Sequence, residues 1–346
     1  MEKFPYREQP AAPNTYSQSC NDCSRLIAIV CRGPRSGGAQ FRRLGGGRVA
    51  VGAVGRRKCR LTSPNSAFSS HPRRWRDFRY VYPVVSRRSR GLSIGINLNP
   101  DAACNFDCIY CCADRSRARP VVRSSAAHLL SVLDGELRDL VERREALFDE
   151  PEFRQIPPEY RRLNDIAFSG DGEPTAAPVF PRAVRSAVAV RQEHKLHAAK
   201  IVLITNACYL TRPKVAAALA LLDEHKGEIW AKLDAGTEEY YRLVNRPNFP
   251  LQHVLDNILA AARVRPIVLQ SLFMRVRGAP PPVAEITAYA ARVRWLLDNG
   301  ARLALIQVYT VARRTATPLP APLTADELER IADAVRPLGL PVAVFP

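Results

Sequence analysis

The chain of 346 residues is long enough for one large α/β domain or two ordinary ones, and its 47% hydrophobic residues can bury a sizeable core. No apolar run approaches the roughly 18 residues of a membrane span, and the first residues lack a signal-peptide core, so we expect a cytoplasmic protein with no membrane partner. Of the net charge of +18, +15 lies in residues 1–90, and the rest of the chain is nearly balanced.

The predicted organisation begins with a long basic segment. Residues 1–75 are rich in Arg, Ser, Gly and Pro and show no lasting period of 2 or 3.6, which predicts disorder. A basic segment of this kind can bind nucleic acid or an anionic membrane without specificity. Four of the nine cysteines lie in it, without strand or helix context, and we interpret them as incidental rather than as metal ligands. A single folded domain is predicted over residues 76–346.

In this domain short apolar runs alternate with helical patterns. The predicted strands are Leu92–Leu98, Asp165–Ser169, Ile201–Thr205, Glu228–Leu233, Pro266–Phe273 and Leu303–Val311. The predicted helices are Ala126–Phe148, Val179–Glu193, Arg212–Asp223, Leu251–Arg263, Val283–Asn299 and Thr324–Arg336, the last beginning with a capping box. The alternation indicates a parallel sheet with right-handed crossovers. It fits a partial (β/α)6 barrel of the TIM type, and a doubly wound open sheet fits nearly as well.

A tight group of cysteines follows the first predicted strand. The sequence GINLNPDAACNFDCIYCCADR contains Cys104, Cys108 and Cys111 in the spacing C-x3-C-x2-C. Thiolates are the preferred ligands of iron–sulfur clusters. Three of them can hold a four-iron cubane and leave the fourth iron open to a cofactor or substrate. Reacting groups of parallel α/β folds lie after the strands, which is where this loop is predicted.

A buried helix face and a zinc site are the two alternatives to a cluster for these cysteines. Their positions could line one buried face of a helix, but Pro100 and the polar surroundings favour a loop. A zinc site would need a fourth Cys or His at matching spacing, and Cys112 is poorly placed because adjacent side chains diverge. The cluster interpretation is therefore favoured over both.

The cysteine spacing, with Tyr110 before the last cysteine, resembles the signature of the radical S-adenosylmethionine (SAM) superfamily. The resemblance covers about residues 80–345 and includes YVYPVVSRRSRGLSIGINLNP, FSGDGEPT, LITNA, EIWAKLDAGTEEYY and IQVYTVAR. These segments are similar to a subgroup related to the wyosine-type tRNA-modifying enzymes. The resemblance implies one [4Fe–4S] cluster, SAM bound to its open iron, reductive cleavage of SAM and hydrogen abstraction from a substrate.

The resemblance also implies a SAM-binding segment after the second predicted strand. Gly170, Asp171, Gly172 and Glu173 precede Pro174 and resemble the family's Gly-Gly-Glu-Pro segment, which binds the SAM amino group. Asp171 stands where the first glycine usually does, so this chain departs from the common form. The alternative is an ordinary strand-to-helix turn, which the position downstream of the cysteine loop disfavours.

Other residues after predicted strands are implied to contact SAM. Asn206, Lys232 and Asp234 would face its ribose and carboxylate, although a plain ion pair of Lys232 is equally compatible with the sequence. Tyr110 would contact adenine, or it would be a core aromatic residue. Cys208 is predicted to lie in the core.

The substrate and partners are less defined. Several predicted strands are followed by Lys or Arg residues, which would make the mouth of the barrel basic. A basic mouth would favour an anionic substrate such as RNA or a phosphorylated metabolite. These residues are Arg115, Arg117, Arg119, Lys232, Arg275, Arg277, Arg313 and Arg314. An external one-electron donor such as flavodoxin or ferredoxin is expected. Two rival functions stay open: a non-catalytic iron–sulfur or zinc protein that binds nucleic acid, and an activating enzyme that installs a radical on a partner protein.

Overall fold

The computed structural model describes residue 73 and residues 75–115 and 124–346. Its strands are β1 (Val81–Ser86), β2 (Gly91–Ile96), β3 (Leu163–Phe168), β4 (Lys200–Thr205), β5 (Gly227–Lys232), β6 (Ile267–Leu272), β7 (Arg275–Val276), β8 (Leu303–Tyr309), β9 (Pro320–Ala321) and β10 (Val342–Phe345). Eight of them form one sheet in the order β1-β2-β3-β4-β5-β6-β8-β10, and β7 pairs with β9 separately. Within the large sheet β1 is antiparallel to β2, and the other pairs are parallel.

The strand order decides between the two sheets that the sequence allowed. A doubly wound sheet reverses its strand order at a switch point. Here the sheet strands follow one another in chain order, and the sheet curls into a half-barrel. The predicted partial barrel of the TIM type is therefore confirmed, and all six predicted strands are present within a few residues of their expected bounds.

The helices pack outside the sheet. They are α1 (Ala126–Glu142), α2 (Phe180–Glu193), α3 (Pro213–Glu224), α4 (Glu238–Asn245), α5 (Leu251–Val264), α6 (Val283–Asp298) and α7 (Ala325–Val335). The six predicted helices are confirmed, and the capping box of Thr324 and Glu327 begins α7 as expected. The first predicted helix is shorter than expected, because α1 stops at Glu142 and a separate 3-10 turn covers Ala146–Asp149. No helix in the described part of the chain combines the length and the apolar character needed to cross a membrane.

Alternate residues of the strands face two separate apolar cores. Ile166, Phe168 and their equivalents pack against the helices in a large outer cluster. Ala167 and Trp230 lie on the inner face, in a small cluster with Val202 and Val268. This alternation is the period of two expected for a strand. Towards the strand ends the inner face becomes polar, and the candidate site lies there.

The sequence did not predict β1, β10 and α4, nor the two-residue strands β7 and β9. The edge strand β1 contains Pro83, which cannot donate to a ladder and is tolerated at an edge. The strand β10 is only four residues long and lies at the other edge. The helix α4 is eight residues long, and its N-cap is Thr237, whose hydroxyl accepts from the backbone of Tyr240. Short elements carry too few residues to display a period.

Candidate functional site

A cavity of about 230 Å³ lies at the ends of the parallel strands and on the inner face of the sheet. Most of the predicted site residues line it, although they come from distant parts of the chain. They are Cys104, Cys108, Tyr110, Cys111, Gly170, Gly172, Glu173, Asn206, Lys232 and Asp234. The curled sheet therefore brings the cysteine loop and the strand ends of β3, β4 and β5 to one space.

Asp171 is the exception among the predicted site residues. It does not line this cavity, and its carboxylate accepts a hydrogen bond from Asn97 Nδ2 at 3.0 Å. A nitrogen of Arg73 lies 3.6 Å from the other carboxylate oxygen. Asp171 thus connects the turn after β3 to neighbouring loops. Its predicted contact with a cofactor stays a prediction.

The cysteine loop, residues 99–115, is fixed by backbone hydrogen bonds. Cys111 N donates to Cys108 O at 3.0 Å, which forms a tight turn between two candidate ligands. Ile109 N donates to Val244 O at 3.0 Å, and the carbonyl of Ile109 accepts from Thr317 Oγ1 at 2.9 Å. The loop is therefore anchored to α4 and to the segment after β8. Such anchoring holds the thiols in place before any cluster binds.

The three thiols fit the ligand set of a cubane. Cys104, Cys108 and Cys111 are half-buried and line the same cavity, whereas Cys112 is exposed. Burial raises the pKa of the Cys104 thiol and raises that of Cys108 to about 12, so these groups are protonated until a metal displaces the proton. Cys208 lies in the core, as predicted.

The spacing of these thiols matters for the kind of metal. Among the described residues, no group of three or more His, Cys, Asp or Glu side chains could hold a single metal ion. In a cubane each thiolate binds a different iron. The fit to a cluster therefore rests on the three thiols that line one cavity.

Gly172 packs against the backbone of the cysteine loop. A Cβ atom at this position would lie 2.0 Å from Ala103 O and 2.7 Å from the Cβ atom of Asn99. Both contacts are far below van der Waals distance, so only glycine allows this approach. The turn after β3 and the cysteine loop are thus in direct contact.

Replacing Gly172 by alanine should impair cluster loading, because the cysteine loop must move to make room for the added methyl group. We expect most of the iron to be lost after anaerobic reconstitution of the G172A variant, measured as iron per chain. Gly135→Ala is the matched control, since nothing lies within 4 Å of a Cβ atom there. Equal iron content in both variants would contradict the contact.

Glu173 places a buried carboxylate beside the cavity without a cation to balance it. It is 3% exposed, and it accepts hydrogen bonds from Thr175 N, Thr175 Oγ1, Thr205 Oγ1 and Asn206 N, at 2.5 to 3.1 Å. Burial raises the pKa of Glu173, and these hydrogen bonds lower it in part. No described Lys or Arg forms an ion pair with it. A buried charge without a counter-ion is costly, so the arrangement favours a cationic ligand.

Asn206 connects the end of β4 to the cysteine loop. Its backbone N–H donates to Glu173 Oε2 at 2.8 Å, and its side-chain amide donates to Asn105 Oδ1 at 2.8 Å. Its side-chain oxygen accepts from Cys208 N at 3.2 Å. These bonds give Asn206 a positioning role, and the predicted contact with SAM stays a prediction.

Lys232 and Asp234 form an ion pair with each other. The sequence allowed such a pair as the alternative to a SAM-binding role for Lys232. Lys232 Nζ lies 3.1 Å from Asp234 Oδ1 and donates to Tyr309 OH at 3.0 Å. Burial alone would lower the pKa of Lys232, but Asp234 and Tyr309 raise it above its ordinary value. An ammonium group has three donors, and two are used here. The third can still serve a ligand in the cavity.

Asp234 is the centre of a larger buried network. Its second oxygen accepts from Tyr110 OH and, at 3.0 Å, from Asn245 Nδ2. Leu272 N donates to its first oxygen at 2.9 Å. Asn245 Nδ2 also lies 3.5 Å from Cys108 Sγ, which links this network to the cysteine loop. Tyr110 is thereby fixed in the cavity wall.

Several residues of the site were not predicted. Arg73, Arg88 and Tyr82 line the cavity, and Asn245 reaches it from α4. Asp165 also lines it, where burial raises the pKa of its carboxyl to about 6 while Ser93 donates a hydrogen bond to it. The pattern around β1 and α4 was too short to place these side chains. Arg117 and Arg119 lie outside the described residues.

Two solved structures share this fold. A radical SAM methyltransferase from Sphaerobacter thermophilus matches with a TM-score of 0.50 and 14% identity, covering 77% of this chain and 68% of that one. Streptococcus suis SuiB, bound to S-adenosylmethionine, matches with a TM-score of 0.51 and 11% identity, covering 75% and 52%. The chain therefore has the same fold as a radical SAM methyltransferase and a protein that binds S-adenosylmethionine, as the resemblance of the cysteine loop predicted.

Two proteins with similar sequences match only part of this chain. A UPF0026 protein of Methanocaldococcus jannaschii is 29% identical over 182 residues, which is 51% of this chain and 46% of that protein. A protein named GTPase Obg from Brachyspira hyodysenteriae is 27% identical over 170 residues, 49% of this chain and 21% of that protein. The matched segments thus span less than half the length of either relative. No family model matches the sequence.

Proposed function

We propose that this chain is a radical SAM enzyme that holds one [4Fe–4S] cluster on Cys104, Cys108 and Cys111. When bound, the cluster supplies an electron that cleaves SAM to a 5′-deoxyadenosyl radical, which abstracts a hydrogen atom from the substrate. The observation that carries the proposal is the cavity itself. It is lined by the three thiols and by the carboxylate of Glu173, which forms no ion pair with a described Lys or Arg.

The residues of this chain have separate tasks in that proposal. The thiols lose their protons and bind three irons, and Glu173 accepts hydrogen bonds from the SAM ammonium. The free N–H of Lys232 donates to the SAM carboxylate or ribose, while Asp234 and Asn245 keep Lys232 and Tyr110 in position. The walls of the cavity exclude water from the reacting groups.

We further propose an anionic substrate and an external one-electron donor of the flavodoxin or ferredoxin type. Arg115, Lys232 and Arg313 of the predicted basic mouth line the cavity. Arg275 instead pairs with Glu327. The two rival functions differ in what they predict: a non-catalytic cluster or zinc protein leaves SAM intact, and an activating enzyme cleaves SAM but acts on a partner protein.

The test is anaerobic reconstitution followed by reduction in the presence of SAM, with 5′-deoxyadenosine measured by chromatography. We expect slow release without substrate. Glu173→Gln should weaken SAM binding and retain the cluster, because the charge is lost while an amide oxygen can still accept from the two threonines. Thr205→Val is the control, since it removes one hydrogen bond to Glu173 and keeps its charge. A reduced, iron-loaded enzyme that leaves SAM intact would refute the proposal.

A further inference from the structure

Three arginines gather at the cavity, and of these only Arg73 forms an ion pair with a described carboxylate, that of Asp171. Arg73, Arg88 and Arg313, here called the arginine cluster, line both this cavity and an adjoining one of about 190 Å³. They come from different segments: Arg73 precedes β1, Arg88 lies in the turn between β1 and β2, and Arg313 follows β8. The curl of the sheet brings that turn next to the ends of β8 and β10.

Two of these guanidinium groups, those of Arg88 and Arg313, have no ion-pair partner among the described residues. The Cζ atom of Arg88 lies 4.5 Å from the ring centre of Tyr309 and 5.9 Å from that of Trp230. One nitrogen of Arg73 is buried without a hydrogen-bond partner, and the same nitrogen forms an ion pair with Asp171 at 3.6 Å. Stacking on aromatic rings orients guanidinium groups without removing their charge.

These charges also oppose one another. Burial and the neighbouring Arg88 and Arg73 lower the pKa of Arg313, and Arg88 likewise lowers the pKa of Arg87. Like charges in a partly desolvated cavity are unfavourable in the absence of an anion. Asp165 on the inner face accepts a hydrogen bond from Ser93, and the charge of Arg88 lowers its pKa, but the two form no ion pair. The described carboxylates therefore balance the three arginine charges only in part.

The arginines have two simpler possible roles, at the iron–sulfur cluster and at SAM. They could balance the charge of the iron–sulfur cluster, but Arg115 already lies near all three thiols. They could bind the SAM carboxylate, but the proposed function assigns the SAM ammonium to Glu173 and the SAM carboxylate or ribose to Lys232. Arg88 stacks on Tyr309 at the end of β8, and β5 and β6 stand between that strand and the strands β3 and β4 beside Glu173.

We infer that the arginine cluster binds a phosphate monoester group of a small substrate. This inference deepens the proposed function, on which it rests for the identity of the reaction. A phosphate monoester carries about −1.5 to −2 charges at neutral pH and three acceptor oxygens, which matches several guanidinium groups better than one carboxylate does. The small volumes of the two cavities, about 230 and 190 Å³, favour a small molecule over a polynucleotide. Tyr309 and Ser86 line the same adjoining cavity and offer hydroxyl groups near the phosphate.

The test is titration calorimetry of the reconstituted full chain with inorganic phosphate, at constant ionic strength set by chloride. We expect binding that weakens at least about tenfold in Arg88→Ala and in Arg313→Ala, since each removes a charge-assisted contact. Arg314→Ala is the matched control, because this neighbour is exposed and lines neither cavity. SAM cleavage without substrate is measured in parallel for the parent chain and the Arg314→Ala control, and it should be the same in both.

Each outcome decides the inference separately from the proposed function. Phosphate binding that is absent, or equal in the three variants, overturns it. It is also overturned if cluster loading or SAM abolishes phosphate binding, because the arginines then serve those groups. Preference for succinate over phosphate, or for an RNA oligonucleotide lacking terminal phosphates, overturns the ligand class. Loss of SAM cleavage in the parent chain instead refutes the proposed function and leaves the phosphate result standing.

Discussion

Replacing any one of Cys104, Cys108 or Cys111 by alanine should abolish the iron–sulfur cluster and with it the reductive cleavage of SAM. Each thiol lines the same cavity, and each would bind a different iron of the cubane. Two remaining thiols leave two irons without a protein ligand, so partial retention is not expected. The measurements are iron per chain, about four in the parent protein, and 5′-deoxyadenosine released after reduction.

The controls for this experiment are two other cysteines. Cys112→Ala should keep the full iron content, because Cys112 is exposed and does not line the main cavity. Cys208→Ala should also keep it, although the buried side chain contributes to packing. A cluster that survives the loss of Cys108, or one that is lost with Cys112, would contradict the ligand assignment.

Most of the barrel was predictable because its central strands and helices are long and regular. Strands such as β4 and β6 contain short apolar runs, IVLI in β4 and IVL in β6, as expected for strands buried on both faces. Helices such as α5 and α7 show a clear apolar face, and Thr324 marks the beginning of α7. The choice between a curled and an open sheet was not predictable, since it depends on strand order, which alternation alone does not encode.

The candidate site was predictable where residue type and spacing carry the chemistry. The three cysteines lie close together in sequence, and the turn containing Glu173 follows a predicted strand. Arg88, Tyr309 and Asn245 could not be found in this way. Arg88 and Asn245 line the main cavity and Tyr309 lines the adjoining one, and each is placed there by a contact between segments more than 100 residues apart, such as that between Asn245 and Cys108. Only the curl of the sheet brings such residues together.

Asp171 shows how a departure from a family pattern can have a local structural reason. The resemblance predicted a cofactor contact at this position. In the structure its carboxylate accepts from Asn97, and its carbonyl accepts from Arg115, so the residue connects two loops beside the cavity. The glycine requirement is met at Gly172, where the cysteine loop approaches most closely.

Replacing Asp234 by alanine should lower the free energy of unfolding of the chain by about 3–5 kcal/mol, the cost of removing one partner of a buried ion pair. The side chain of Asp234 is 1% exposed, and that of Lys232 is 17% exposed. The variant leaves the Lys232 ammonium without its counter-ion and leaves Leu272 N, Tyr110 OH and Asn245 Nδ2 without their shared acceptor. Unsatisfied buried groups of this kind are among the largest causes of destabilisation. Urea denaturation without iron or SAM measures the effect.

Asp139→Ala is the matched control, because Asp139 pairs with Arg143 on the exposed surface of α1, where such pairs contribute about 0.3–0.5 kcal/mol. Asp234→Asn keeps one acceptor oxygen and should fall between the two, which leaves the prediction measurable if the alanine variant does not fold. In the double variant Lys232→Ala with Asp234→Ala, the loss should be smaller than the sum of the single losses, since no unpaired ammonium is left behind. Two results would contradict the prediction: losses of unfolding free energy that add up in the double variant, or a loss in Asp234→Ala no larger than that in Asp139→Ala. Either would show that the buried pair does not stabilise the end of the barrel where Tyr110 and Lys232 lie.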